Sequence, residues 1–288
     1  MPIRDIASKQ NTRLKELRRA FAAPDRDARG LVGIEGPKLL EEAIRAGLRV
    51  STVFVAEGSE RLLEALHLVP ETEILRLPRA LLDSALATES PQPIAALVEP
   101  PKWSWPGILN HNQKKTLVLV LAGLQDPGNV GTILRSAEAF GATGVVSLPG
   151  TVSAWNPKAV RASAGSVFRV PLIATNEREC FERLREGGVK ILATTVRAAQ
   201  PANLLDMAGP VALLIGNEGN GVADDVAAKA DAKITIPCPG PVESLNAAVA
   251  ASVLLYEAAR QRENSVSKSS GSPHRPSKEP PHAVGARR

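Results

Sequence analysis

The chain has 288 residues, a formal net charge of +5, two cysteines and four histidines. That length supports two ordinary domains that bury cores without disulfides or metals. Cys180 and Cys238 have no CxxC or Cys/His ligand spacing, and with His274 and His282 near the end only His67 and His111 remain, which argues against structural zinc, a catalytic metal or a nucleophile triad.

The opening residues, MPIRDIASKQ, lack the apolar core of a signal peptide, and no run of about 18 apolar residues reads as a membrane span, so a cytoplasmic protein without a membrane partner is expected. Residues 1–30 carry eight Lys/Arg against four Asp/Glu and residues 265–288 five against one, +4 each, whereas 31–264 carry 22 against 25, or −3. Basic ends on a near-neutral body suit a polyanion, although such ends also occur as solvated tails.

Residues 3–21, IRDIASKQNTRLKELRRAF, read as helix-forming, with Ile3, Ile6, Leu14, Leu17 and Phe21 for an apolar face and Arg13, Lys15, Arg18 and Arg19 for a basic one suited to phosphate. A strand at 31–35 follows, then a turn at Gly36, a helix opened by Pro37 and closed by Gly47, and a strand at 51–56. Helices at 60–67 and 78–87 and strands at 73–77 and 94–98 complete an α/β unit with no evident catalytic cluster. The Pro- and Trp-rich stretch PPKWSWPGILNHNQKK (100–115) breaks the alternation, so we expect a first domain at 1–105, a linker at 106–115 and a second domain at 116–264.

TLVLVLAGL (116–124) is continuously apolar, as in a strand buried on both faces of a parallel sheet. Apolar runs at 143–148, 168–174, 190–196, 210–216 and 233–237 alternate with helical stretches in a doubly wound α/β pattern. A long apolar helix begins after the stiff loop IPCPGPVE, where Ser244 can cap and Asn246 falls in the first turn. Residues 265–288 are rich in Ser, Pro and charge, and a disordered basic tail is expected there.

Three loops leave the carboxyl ends of these strands, where ligands gather in parallel sheets. The first, GLQDPGNVGTILRSAEAFGA (123–142), places Asn129 near a helix start and Arg135 about two turns in, on an otherwise apolar helix where a guanidinium calls for an anionic partner. The second, LLIGNEGNGVADD (213–225), sets Asn217, Glu218 and Asn220 among glycines that let backbone approach a ligand. The third is the Pro-rich loop before the last helix. Neither GxGxxG nor GxxxxGK[ST] is present, which removes the dinucleotide and P-loop readings.

In order and spacing, DPGNVGTILRSAEAFGATGVV, IGNEGNGV and IPCPGPVESLNAAVAASVLLYEAARQR resemble the three motifs of the SpoU (TrmH-like) branch of the SPOUT RNA ribose methyltransferases, and RASAGSVFRVP (161–171) fits the segment between them. SKQNTRLKELRR, GIEGPKLLEEA and PQPIAAL resemble that family's L30e-like RNA substrate-binding domain, with Pro93 standing where relatives commonly carry glycine. The resemblance implies a SPOUT domain threaded as a trefoil knot, a homodimer, and S-adenosylmethionine bound by Gly216, Ile236 and Leu245, with Thr195 as a further contact. It implies polar site roles for Asn129, Arg135, Glu218, Ser244 and Asn246. The reaction it implies is methyl transfer to a ribose 2′-OH of structured RNA. 23S ribosomal RNA is favoured over transfer RNA because a separate RNA-gripping domain suits a large substrate, and a catalytically inactive RNA-binding or ribosome-assembly protein is the remaining alternative. The family proposal makes the Arg135 position the base; a cationic guanidinium instead holds phosphate and stabilises an alkoxide, so its protonation role stays open and Glu218 is the alternative base.

Overall fold

The computed structural model describes residues 2–23, 30–86, 88–109, 116–195, 199–242 and 244–270. In the N-terminal unit, β1 (Ile3–Asp5), α1 (Thr12–Ala22), β2 (Val32–Glu35), α2 (Pro37–Arg45), β3 (Val50–Ala56), β4 (Glu73–Leu77), α3 (Arg79–Asp83) and β5 (Ile94–Val98) build a five-stranded sheet in the order β1-β4-β3-β5-β2. β5 runs antiparallel to both of its neighbours. Strand alternation splits the side chains between two cores. Phe54, Leu75 and Leu97 meet α1 and α3, whereas Val32, Ile34, Val53 and Ala96 join Leu40 and Ala43 of α2 in a core that continues into the second unit.

Three expectations for this unit change. Ile3–Asp5 is an edge strand paired in parallel with β4, and Asn11 starts the helix only at Thr12 by accepting from the Arg13 and Leu14 amides. The segment expected as a helix at 60–67 holds one 3-10 turn, Glu60–Leu63, and α3 ends at Asp83. Leu62, Leu63 and Leu66 of the 60–67 segment pack on the core, so one short turn suffices to bury its apolar side chains.

The C-terminal unit comprises α4 (Trp105–Ile108), β6 (Leu117–Ala122), α5 (Pro127–Ala139), β7 (Gly144–Ser147), α6 (Pro157–Ser163), β8 (Leu172–Ala174), α7 (Glu177–Glu186), β9 (Lys190–Thr194), β10 (Gln200–Pro201), β11 (Val211–Gly216), α8 (Asp224–Ala227), β12 (Ala232–Thr235) and α9 (Ala247–Ser270). Its seven strands lie in the order β10-β12-β9-β11-β6-β7-β8, all parallel. From β6 the order runs outward to β7 and β8 on one side, and on the other it passes through β11, so the sheet switches direction between β6 and β11. That is where open parallel sheets bind ligands.

One face of this sheet is covered by α5 and α9, with Val130, Ile133 and Leu134 against Ala251, Leu254 and Leu255. The opposite face holds Cys180, Phe181 and Leu184 of α7 over Val118 and Val120. Burial pushes the Cys180 thiol up to about 12, so it is a packed, inert group. After β12, near the sheet edge, the chain returns through residues 236–246 to lay α9 beside α5 and β11 at the centre, the kind of return that a knotted path requires.

Two boundaries shift. The expected linker is part of the second unit at its start: Ile108 is fully buried, and a Cβ on Gly144 would lie 2.6 Å from its Cγ1. Residues 110–115 lie outside the described residues. The expected tail also starts later, because α9 continues to Ser270. Gln261 donates to Leu205 O and accepts from Met207 N, and Arg262 donates to Thr116 O and Gly209 O, which anchors the helix near the segment that composition alone marks as unstructured. Residues 271–288 lie outside the described residues.

Candidate active site

The first loop leaves β6 at Gly123 (φ +77°), and the Asp126 carboxylate accepts from Gly128 N at 3.1 Å with Pro127 at the first helical position. Asp126 therefore caps α5, and the expected near-cap residue Asn129 sits inside the first turn, 8 % exposed. A strand followed by Asp-Pro-Gly carries the signature of this start. In the second loop Asn217 and Gly221 exchange two backbone bonds of 2.9 Å, folding residues 217–221 back over the end of β11. A Cβ on Gly216 would lie 2.0 Å from the Gly221 carbonyl carbon, so this close backbone approach requires glycine.

Side-chain amides join the loops. Asn217 donates to Gly123 O at 2.8 Å, and Asn129 Nδ2 donates to Glu218 Oε1 at 2.9 Å. Asn246 Nδ2 donates to Asn129 Oδ1 at 3.0 Å while its own Oδ1 accepts from Ala248 and Val249. Asn246, and not Ser244, is thus the cap of α9. Ser244 is exposed and makes no hydrogen bond among the described residues, and Glu243 lies outside them. The almost buried Asn129 is the hub, with one amide group donating to the second loop and the other accepting from the third.

Glu218 also accepts from the amides of Gln125 and Asp126, both at 3.3 Å. Partial burial raises its proton affinity, but the bonds from Asn129, its own amide, Gln125 and Asp126 outweigh this and hold the carboxyl below its ordinary value of 4.5. An acid so stabilised as its anion is a weak base, so the arrangement makes Glu218 a tie between loops and removes the support for it as the proton acceptor.

The other expected residues fall into two groups. Leu214 pairs with Ala193 and Ile234 with Thr194, so continuing these registers sets Gly216 beside Thr195 and brings Ile236 to the same edge, across three adjacent strands spaced about 4.8 Å apart. Leu245 adjoins Asn246 and so is fixed to this edge through Asn129. Arg135 lies six residues beyond Asn129 on α5, about 9 Å along its axis. Its guanidinium is exposed and makes no ion pair or hydrogen bond among the described residues, so none of these is the anionic partner that its place on α5 calls for. It projects on the stripe of Thr132 and Ala139, the solvent-facing side of α5.

The half-buried side chains of Ile236 and Leu245, beside glycine-exposed backbone at strand ends, offer apolar surface for a ring and peptide groups for its edge. That combination fits a purine-bearing cofactor such as S-adenosylmethionine. A cavity of about 680 Å³ in the N-terminal unit is less suited to chemistry, because its Arg13 and Arg49 pair with its Glu73 and Glu99.

A doubly wound parallel domain with three interlocked loops at its switch point, preceded by a separate small α/β domain, is the architecture that the resemblance to the SPOUT RNA methyltransferases implies. Comparison with known proteins makes the class specific. Residues 116–256 match the model of the SpoU rRNA Methylase family and residues 11–96 that of the MRM3-like substrate binding domain. The chain is 32 % identical over 254 residues to the 23S rRNA (guanosine(2553)-2′-O)-methyltransferase RlmP of Bacillus subtilis, covering 88 % of this chain and 98 % of that one. Among solved structures, the SpoU methyltransferase AviRb of Streptomyces viridochromogenes in complex with AdoMet superposes with a TM-score of 0.76 at 28 % identity, over 88 % of this chain and 99 % of that one. An AdoMet-bound rRNA methyltransferase of Sinorhizobium meliloti gives 0.77 at 29 %, over 90 % and 98 %. The chain belongs to the SpoU family of S-adenosylmethionine-dependent RNA 2′-O-ribose methyltransferases.

Proposed function

We propose that the protein methylates a ribose 2′-OH in 23S ribosomal RNA as a homodimer, with Arg135 as the cation at the reacting oxygen. The observation that carries this reading is the hydrogen-bonded chain Asn246–Asn129–Glu218, which locks all three loops together on the helix that also carries Arg135. When bound, S-adenosylmethionine supplies an electrophilic sulfonium methyl. Gly216, Ile236, Leu245 and Thr195 hold it at the strand ends. Placement is most of the catalytic task, and the interlocked loops provide it. The exposed Arg135 guanidinium is free to take the target phosphate and to stabilise charge on the 2′ oxygen as its proton leaves. Ser244, exposed on the third loop, orients the ribose.

The B. subtilis relative named for 23S rRNA, which this chain matches over nearly its whole length, supports ribosomal over transfer RNA. The dimer reading rests on α9, where Val249, Val253 and Tyr256 are exposed at helical spacing. α9 is joined to α5 by the Ser136–Ser252 hydroxyl contact of 2.7 Å and the Phe140–Tyr256 edge-to-face contact, so a second copy seated there also reaches Arg135. Cytoplasmic residence follows from this substrate.

The deciding experiment maps 2′-O-methyl positions in 23S ribosomal RNA from cells with and without the gene, beside transfer of labelled methyl by the purified protein. One ribose losing its methyl supports the reading; an unchanged map with no transfer to RNA returns the protein to a binding role.

A further inference from the structure

Outside the loop cluster, one arginine touches both units. Arg169, just past the 3-10 turn Ser166–Phe168, grips Glu138 of α5 with two guanidinium nitrogens, Nε to Oε1 and Nη2 to Oε2, and donates from Nη1 to Glu42 Oε2 of α2 at 2.7 Å. All three side chains are about two-thirds buried. The Arg169 pairing holds Glu138 well below the usual carboxylate range, against its burial and with help from Ser166.

The backbone at this point is shaped around the contact. Ala164 (φ 49°) and Gly165 (φ 91°) are consecutive left-handed residues, and Ala164 is the one non-glycine with positive φ among the described residues. A Cβ on Gly165 would lie 2.9 Å from that of Glu42. A strained Ala164 and a glycine that takes the same left-handed conformation freely thus end α6 so that the chain passes close to α2 and delivers Arg169 between the two carboxylates.

We infer that Glu42–Arg169–Glu138 is a strut that sets the angle of the substrate-binding unit against α5, so that RNA gripped by the first unit meets Arg135 and the loops of the second in register. Arg169 is a positioning residue for methyl transfer, and this rests on the reaction proposed above. The units adhere through the apolar core shared by β2, α2 and the second sheet, so the strut is not needed to hold them together. Its bidentate fork is directional where apolar contact is not. Glu138 stands three residues from Arg135 on one helix, so an angle set at the first is passed to the second.

The test compares the full-length protein with Arg169→Ala, Glu42→Gln and Arg169→Lys, using in vitro transcribed 23S ribosomal RNA. In the first two variants the strut requires kcat for RNA to fall about tenfold to a hundredfold, the cost of misplacement remote from the chemistry, with affinities for S-adenosylmethionine and for RNA unchanged and partial recovery in Arg169→Lys. Unchanged kcat overturns it, as does loss of cofactor binding in the soluble Glu42→Gln variant. A second readout does not depend on activity: spin labels at Arg61 and Arg178, in a Cys238→Ser background with Cys180 buried, should give a broader distance distribution in Arg169→Ala. An equally narrow one rejects the strut. A parent protein that moves no methyl to any RNA refutes the proposed reaction, while the width still judges the strut.

Discussion

At the scale of single residues, the candidate site divides into groups that hold loops and groups exposed to solvent. Asn129 and Glu218 satisfy each other, whereas Arg135 is exposed and unpaired among the described residues. Arg135→Ala should therefore lower methyl transfer by about a hundredfold to a thousandfold, the cost of removing one stabiliser of a developing oxyanion, while calorimetry finds the cofactor bound as before. Full transfer by this variant would take Arg135 out of the mechanism. Glu218 sets a pH limit. Its carboxyl is held below its ordinary value of 4.5, so its contribution is complete above that pH and is lost as pH falls through the lower folded-state value. Cofactor affinity measured from pH 7 downwards should decline in that acid window, and Glu218→Gln should be weaker throughout and lose the acid step. The sequence shows these residue types at the right loops, but not their partners, because Asn129 and Glu218 are 89 positions apart and Asn246 and Asn129 117. It also offers Ser244 as the cap of α9, since Ser and Asn both suit such a position, and only the geometry selects Asn246.

At the scale of elements, close approach decides what can be altered. Gly131 of α5 faces the backbone of α6, and its missing Cβ would lie 2.3 Å from Ala159 O. At Gly216 the gap is 2.0 Å to backbone that cannot yield without unfolding the 217–221 turn. Gly216→Ala should cost about 1–3 kcal/mol in urea unfolding, as overpacking does, and should abolish cofactor binding by displacing Glu218. A variant as stable as the parent would show that the turn relaxes. The central strands β5, β6 and β11 were legible because each reads as an uninterrupted apolar run, the mark of burial on both faces. The short edge strands β1 and β10 carry no such mark, since their order comes from the neighbour they pair with. The helix of residues 265–270 was missed for a related reason: composition marks low apolar content, but not the clasp of Gln261 and Arg262 just before it.

At the scale of the whole molecule, the exposed stripe of Val249, Val253 and Tyr256 should be covered by a second copy. Val253→Asp is expected to yield monomers by light scattering and to lose activity with its fold intact by circular dichroism; an active monomer would refute the dimer reading. The α/β class and the three loop motifs were legible in the sequence. The continuity of the core across the two units was not, because alternation along a strand assigns side chains to two faces without saying what covers each one.

The strand order also bears on how the chain is made. Gly123 and Asn217, at the ends of the two central strands, are 94 residues apart, and α9 follows later still. During translation the first sheet can dress its two faces with α1, α3 and α2 as soon as it emerges, whereas the second sheet lacks its central strand β11 and the covering helix α9 until the final third of the polypeptide. The nascent enzyme thus carries β6 with one edge unpaired until β11 is made, the interval in which chaperone protection matters most.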